Sequence, residues 1–396
     1  MIADTADRLS SALGRLGSEA AFVVLARARE LEARGRSIVH MEIGEPDFDT
    51  PEHIKRAGIA AIERNLTHYT PSAGTPELRD AIAQYAATRR GIAPFKRENV
   101  VITPGAKLMV WNVLFALLEP GDDVLISDPA YPTYASCAGY LRANIVPLAL
   151  HDANEFRIDL DELAAKVSSK TKVLVLNSPQ NPTGGVLTRS DMETIAELAQ
   201  RHDFLILSDE IYSRNVYDGE FVSIASIPGM RDRTIIIDGF SKSHAMTGWR
   251  LGYGVMPEPI ARAVTLVNNN TFACAGTFVQ HAGIAAVTGP DEPIQAMVAK
   301  FRERRDVIVK GLNDIPGISC VMPRGAFYAF PNISAITHDD KKLALFLLEE
   351  AGVGLLGGSC FGPGGAGHLR ISYAASLETL SEALARMKQA LPNYRE

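Results

Sequence analysis

Gly239-Phe240-Ser241-Lys242-Ser243-His244-Ala245-Met246-Thr247-Gly248-Trp249-Arg250-Leu251-Gly252 follows the apolar, strand-like run Thr234-Ile235-Ile236-Ile237. It puts one lysine at a strand exit and one arginine eight residues later, with small residues between them. A lysine so placed can form a Schiff base with an aldehyde cofactor, and the arginine can hold that cofactor's phosphate bidentately. Taken alone, a lysine after Ser in a Gly-rich loop is a solvated surface lysine. The functional reading rests on the other parts of such a site recurring along the chain in order.

Working outward, apolar runs at Val100-Val101-Ile102, Val124-Leu125-Ile126, Val173-Leu174-Val175-Leu176 and Phe204-Leu205-Ile206-Leu207 are short and do not alternate in polarity. That is the pattern of strands buried on both faces of a mostly parallel sheet. Helical stretches separate them, so the fold class is α/β with a central sheet. Residues 19–34 have helical periodicity and stop at Gly35. Thr50-Pro51 and Thr75-Pro76 are helix starts, and Ser190-Asp191-Met192-Glu193 reads as a capping box. Beyond Gly289-Pro290-Asp291-Glu292-Pro293 a long charged helix and a small α+β region are expected.

In open α/β sheets ligands sit beyond the carboxyl ends of strands, and each chemistry-bearing motif falls there. Asp209, after 204–208, is costly to bury unless it meets a cation; a protonated pyridine nitrogen would be one. Tyr212, three residues on, could reach the 3′ oxygen of such a ring. In Asn177-Ser178-Pro179-Gln180-Asn181-Pro182-Thr183-Gly184 the Pro and Gly suit a turn, whereas the Asn181 amide can donate to that oxygen. Thr103-Pro104-Gly105-Ala106-Lys107 opens an apolar helix whose first amides could cradle a phosphate. Tyr131, after Asp128-Pro129-Ala130, can stack on a cofactor ring; Tyr134 reads as core.

Composition bounds the alternatives. The 396 residues are 46% hydrophobic and 22% charged, with a net charge of −6 free of long blocks, which argues against nucleic acid as the main partner. Cys137, Cys274, Cys320 and Cys360 stand isolated, so zinc and a disulfide framework are not expected. The start Met1-Ile2-Ala3-Asp4-Thr5-Ala6-Asp7-Arg8 lacks signal-peptide character, and a soluble cytoplasmic protein is expected.

Together these motifs resemble the class I/II aminotransferases, pyridoxal 5′-phosphate (PLP) enzymes of fold type I, and the aspartate/aromatic branch in particular. The resemblance runs from Gly44-Glu45-Pro46-Asp47 to Leu369-Arg370-Ile371-Ser372-Tyr373. It implies Lys242 as the Schiff-base lysine and proton shuttle. Phosphate ligands would be Arg250, Ser241 and the Gly105–Ala106–Lys107 segment, and Asp209 would meet the pyridine nitrogen. Asn181 and Tyr212 would hold the 3′ oxygen, and Tyr131 the ring. Arg370 would clamp the substrate carboxylate, with Gly44 and Asn181 beside it. It further implies a homodimer in which Tyr69 reaches the neighbouring subunit's phosphate. Residues 1–43 would form an N-terminal arm and part of a small domain, 44–289 the large PLP-binding domain, and 290–396 the small C-terminal domain.

The resemblance implies transfer between an amino acid and a 2-oxo acid, with glutamate/2-oxoglutarate or aspartate as one pair. The stretch Asn268 to Gly276 carries no arginine or lysine for a distal carboxylate, and Lys107 stands where another branch puts one, although Tyr131 replaces that branch's Trp. Transfer from neutral or aromatic amino acids, and a PLP lyase of the same fold, are the alternatives. A PLP-binding transcription regulator is set aside because only about forty residues precede Gly44.

Overall fold

A computed structural model describes residues 8–17 and 20–395. The acidic stretch 1–7 lies outside the described residues. The strands are β1 (Val39–His40), β2 (Val100–Thr103), β3 (Asp123–Asp128), β4 (Asn144–Ala149), β5 (Thr171–Asn177), β6 (Leu205–Asp209), β7 (Thr234–Gly239), β8 (Gly252–Val255), β9 (Tyr328–Ala329), β10 (Val353–Gly354), β11 (Leu356–Gly357) and β12 (Leu369–Ser372). Seven of them form one sheet in the order β2-β8-β7-β6-β5-β3-β4.

Neighbours from β7 through β6, β5 and β3 to β4 are parallel, whereas β8 runs antiparallel to both β7 and β2. The apolar runs are buried because helices cover both faces, in three hydrophobic clusters. Two strands of this sheet escape the sequence reading. β4 is interrupted by Pro147 and half exposed, and β8 alternates glycine with Tyr253 and Val255, so neither shows a continuous apolar run.

The remaining strands make two small sheets. β1 pairs in parallel with β10, tying the N-terminal segment to the C-terminal part. β11, β12 and β9 form an antiparallel sheet whose inner face shares a core with the helices Glu292–Asn313 and Leu377–Ala390.

Helix boundaries correct two details. The helix expected over 19–34 spans Ala20–Ala33, and Thr75 caps Pro76–Arg90 as expected, its hydroxyl accepting from the Leu78 amide. Thr50 does not cap the next helix, which runs Glu52–Glu63 behind Pro51. Its hydroxyl instead donates to the Ala245 carbonyl (2.6 Å) and accepts from Trp249 Nε1 (3.0 Å), tying residues 50 and 242–250 together. The capping box is Thr188 with Asp191, two residues before the expected one, because Thr188 takes the extended backbone an N-cap requires.

Candidate active site

Five parallel-running strands point their carboxyl ends at one cleft, and β8, being antiparallel, begins there. Gly105 and Ala106 follow β2, Tyr131 follows β3, Asn181 follows β5, Asp209 ends β6, and Ser241 and Lys242 follow β7. Arg250 lies two residues before β8 and so faces the same edge. The cleft holds about 500 Å³, the size of a small-molecule site. Gly44, Ala106, Lys107, Tyr131, Asn181, Asp209, Tyr212, Ser241, Lys242, Arg250 and Arg370 line it, residues drawn from most of the chain's length. Gly105 lies just behind the wall. Tyr69 does not belong to the cleft; it is 91% exposed.

Arg250 and the start of helix Ala106–Leu117 form one wall. Gly105 has φ +84°, and a Cβ there would collide with the Arg250 guanidinium; a Cβ on Gly252 would collide with the Ala106 amide nitrogen. No side chain caps this helix. Bare helix-start amides beside a guanidinium are a cradle for a phosphate. Arg250 itself has φ +52°, a left-handed backbone that a non-glycine residue holds only under constraint, and its Nη1 donates to the Thr247 carbonyl at 2.9 Å.

Asp209 is buried. Its Oδ2 accepts from the Tyr134 hydroxyl at 2.6 Å and its Oδ1 from the Ile211 amide at 3.2 Å. Burial pushes this carboxyl up to about 6, while the hydrogen bonds from Tyr134 and Ile211 pull the other way. Asn177 braces both neighbours: its Nδ2 donates to the Asp209 carbonyl (3.1 Å) and its Oδ1 accepts from the Asn181 amide (2.9 Å). The side-chain Oδ1 of Asn181 is buried with no partner, a polar atom left for a ligand to satisfy. A phosphorylated pyridine aldehyde fits these residues: an anion cradle, a buried carboxylate for a ring cation, a buried amide whose oxygen has no partner, and a lysine.

Lys242 Nζ donates to the Gly44 carbonyl and stands 6.0 Å from the Phe327 ring centroid. Arg370 is buried; its Nη2 donates to the Glu42 carbonyl, and its Nε has no partner. Burial lowers its proton affinity, the expected direction for a desolvated cation awaiting an anion. Lys107 is exposed, its Nζ 5.8 Å from the Tyr131 ring centroid.

Sequence reasoning missed several cleft residues. Tyr134, read as core, is indeed buried but its hydroxyl is committed to Asp209. Its spacing of three from Tyr131 on the start of helix Thr133–Tyr140 was the available signal. Tyr328, Leu356, Cys360 and Phe361 come from the C-terminal region, and Phe22 from the first turn of helix Ala20–Ala33. None sits in a motif with its own chemistry.

The family model for aminotransferase class I and II matches residues 36–387. The chain is 38% identical over 382 residues to an aspartate aminotransferase of Musicola paradisiaca, covering 96% of each. It is 40% identical over 357 residues to aromatic-amino-acid aminotransferase 2 of Thermococcus litoralis, covering 89% of this chain and 92% of that one. Among solved structures it superposes with a TM-score of 0.93 on an alanine aminotransferase from Pyrococcus furiosus, at 34% identity, covering 98% of this chain and 100% of that one. The Thermus thermophilus aspartate aminotransferase with maleate superposes equally, TM-score 0.93 at 35% identity, covering 96% and 99%. The chain belongs to the class I and II aminotransferase family and is a transaminase that works with PLP.

Proposed function

We propose that the cleft transfers the amino group of an L-amino acid to a 2-oxo acid with Lys242 as its catalytic residue and glutamate/2-oxoglutarate or aspartate as one substrate pair. The observation that carries this is the convergence of Lys242, Asp209 and Arg370 on one cleft from three separate parts of the chain. PLP bound there supplies the electron sink for the substrate's α-carbon once its proton leaves.

Each residue then has one task. Arg250, Ser241 and the amides of Ala106 and Lys107, turned by Gly105, hold the phosphate. Asp209, kept in place by Tyr134, holds a proton on the pyridine nitrogen, and the charge it meets there stabilises a carboxylate that is otherwise costly to bury. Asn181 and Tyr212 donate to the 3′ oxygen, and Tyr131 covers a ring face. Arg370 grips the α-carboxylate with its planar fork, and Gly44 and Asn181 border the substrate. So oriented, the substrate presents its Cα–H to Lys242, which is tethered beside it at the Gly44 carbonyl and takes that proton away from water.

Relatives named for aspartate, for aromatic amino acids and for aspartate/prephenate favour an acidic donor without excluding an aromatic one. Lys107 at the cleft wall is the candidate for the distal carboxylate. The same reading includes a homodimer, with exposed Tyr69 reaching the second subunit's phosphate, a cytoplasmic location, and division of the chain at about residues 44 and 289. Among the described residues no helix is long and apolar enough to cross a membrane, and the four cysteines are free.

Lys242→Ala tests the core. Transamination is expected to fall by at least about 10⁴-fold, and borohydride should no longer fix PLP to the chain. A reduced PLP-bearing peptide from that variant would show that another lysine does the work. Lys107→Ala tests the substrate: kcat/KM for glutamate should fall by roughly 10–100-fold, with little change for alanine. An equal loss for both would assign Lys107 to the phosphate or to structure.

A further inference from the structure

Tyr328 touches both halves of the site. It is buried in β9, held by pairing with Ser372 of β12. Its hydroxyl lies 2.6 Å from that of Tyr212, their rings edge-on with centroids 5.7 Å apart. The Arg370 guanidinium carbon lies 4.7 Å from the centroid of the Tyr328 ring and 5.2 Å from that of Phe361. A Cβ on Gly44 would land on the Tyr328 hydroxyl, so the backbone whose carbonyl accepts from Lys242 passes directly against this phenol.

We propose that Tyr328 is a positioning residue that couples the cofactor side of the site to the substrate side: its hydroxyl aims Tyr212 at the 3′ oxygen, and its ring holds Arg370 in the plane that meets the α-carboxylate. The proposal rests on the roles given above to Tyr212 and Arg370. A phenol has one proton to give. If Tyr212 spends its proton on the 3′ oxygen, the Tyr328–Tyr212 bond has only one possible direction, with Tyr328 as donor. A donor behind a donor strengthens the forward bond. Burial holds the Tyr212 phenol well above its ordinary range, so it stays a donor throughout the working pH. On the other side, Arg370 lies between two aromatic faces. Ring faces offset part of the cost of desolvating the guanidinium and leave its in-plane donors for a carboxylate.

Two substitutions separate the two contacts in the PLP-loaded enzyme. Tyr328→Phe keeps the ring and removes the hydroxyl. The pH midpoint of the bound cofactor's visible absorbance change should rise by a few tenths of a pH unit, because the 3′ oxygen loses part of its donor support, while KM for the best amino donor stays within about twofold. Tyr328→Leu removes the ring as well and should raise that KM about tenfold. In a Tyr212→Phe background, Tyr328→Phe should add no further shift in the midpoint, since the two act in series. An unchanged midpoint in Tyr328→Phe, or an additive one in the double variant, overturns the link to Tyr212. Equal rises in KM for Phe and Leu would assign Tyr328 to packing alone. If Tyr212→Phe by itself leaves the midpoint unmoved, the role of Tyr212 fails first and the coupling with it.

Discussion

Asp209 and Glu210 are consecutive carboxylates at the end of one buried strand, and the chain treats them in opposite ways. Glu210 is surrounded: Arg90 Nε donates to it at 2.6 Å, Ser223 Oγ at 2.6 Å and Ser208 Oγ at 2.9 Å. Arg90 also reaches Asp238 on β7 at 3.1 Å, and Tyr253 on β8 donates to the same oxygen. This is a closed ionic cluster stitching helix Pro76–Arg90 to three strands. Asp209 turns to the other face and receives two hydrogen bonds from neutral donors, Tyr134 and the Ile211 amide, and its carboxyl is pushed up to about 6. A buried carboxylate with its cation present is structure. One whose cation must arrive with a ligand is a site.

The sharpest break of that comparison is in activity. Asp209→Ala should retain PLP through Lys242 and the phosphate cradle yet lose roughly 10²–10³-fold in kcat, the scale of removing one electrostatic partner from an active site. Near-normal turnover with cofactor bound would erase the distinction between the two acids. Glu210's partner behaves otherwise. Arg90→Met leaves Glu210 and Asp238 buried without their shared cation, and should cost about 3–5 kcal/mol of unfolding free energy by chemical denaturation. The surviving folded enzyme should keep its KM. A variant as stable as the parent would mean that the cluster is a bystander.

The contrast was half legible in the sequence. Asp209 stands out because a carboxylate closes an apolar run; the same logic picked out Asn181 and Lys242 at strand exits, and Arg250 followed from its spacing of eight from Lys242. Glu210 carries an equal charge one position on, but its partner Arg90 lies 120 residues away and sits in an ordinary-looking helix end. Tyr134 and Tyr328 were hidden for the same reason: a tyrosine packed in a core and a tyrosine aimed at a polar group look alike until the neighbour is known. β8 escaped because its glycines, Gly252 against the Ala106 amide and Gly254 against Met109 and Met256, also break the apolar run. Helix starts shifted where a hydroxyl found a distant partner, as Thr50 did with Ala245.

The central claim is that Asp209 is an acid whose counter-charge is the cofactor, and stability against pH tests it without any turnover. Burial raises the folded Asp209 carboxyl from 3.8 to about 6. Below about pH 4 both folded and unfolded chains hold the proton, and the group contributes nothing. Between pH 4 and 6 the unfolded chain releases it first, so folding loses stability as pH rises, and the deficit persists above 6. Asp209→Asn removes that charge; with its Oδ1 accepting from the Ile211 amide, its Nδ2 donates to the Tyr134 hydroxyl oxygen. Measured by denaturant unfolding without PLP, the variant should be more stable than the parent at pH 7.5, by roughly 2–3 kcal/mol, with the gap narrowing towards pH 4.5. Saturating PLP should then close or reverse the gap at pH 7.5. A variant less stable than the parent at pH 7.5 without PLP, or a gap that ignores both pH and cofactor, would contradict the account.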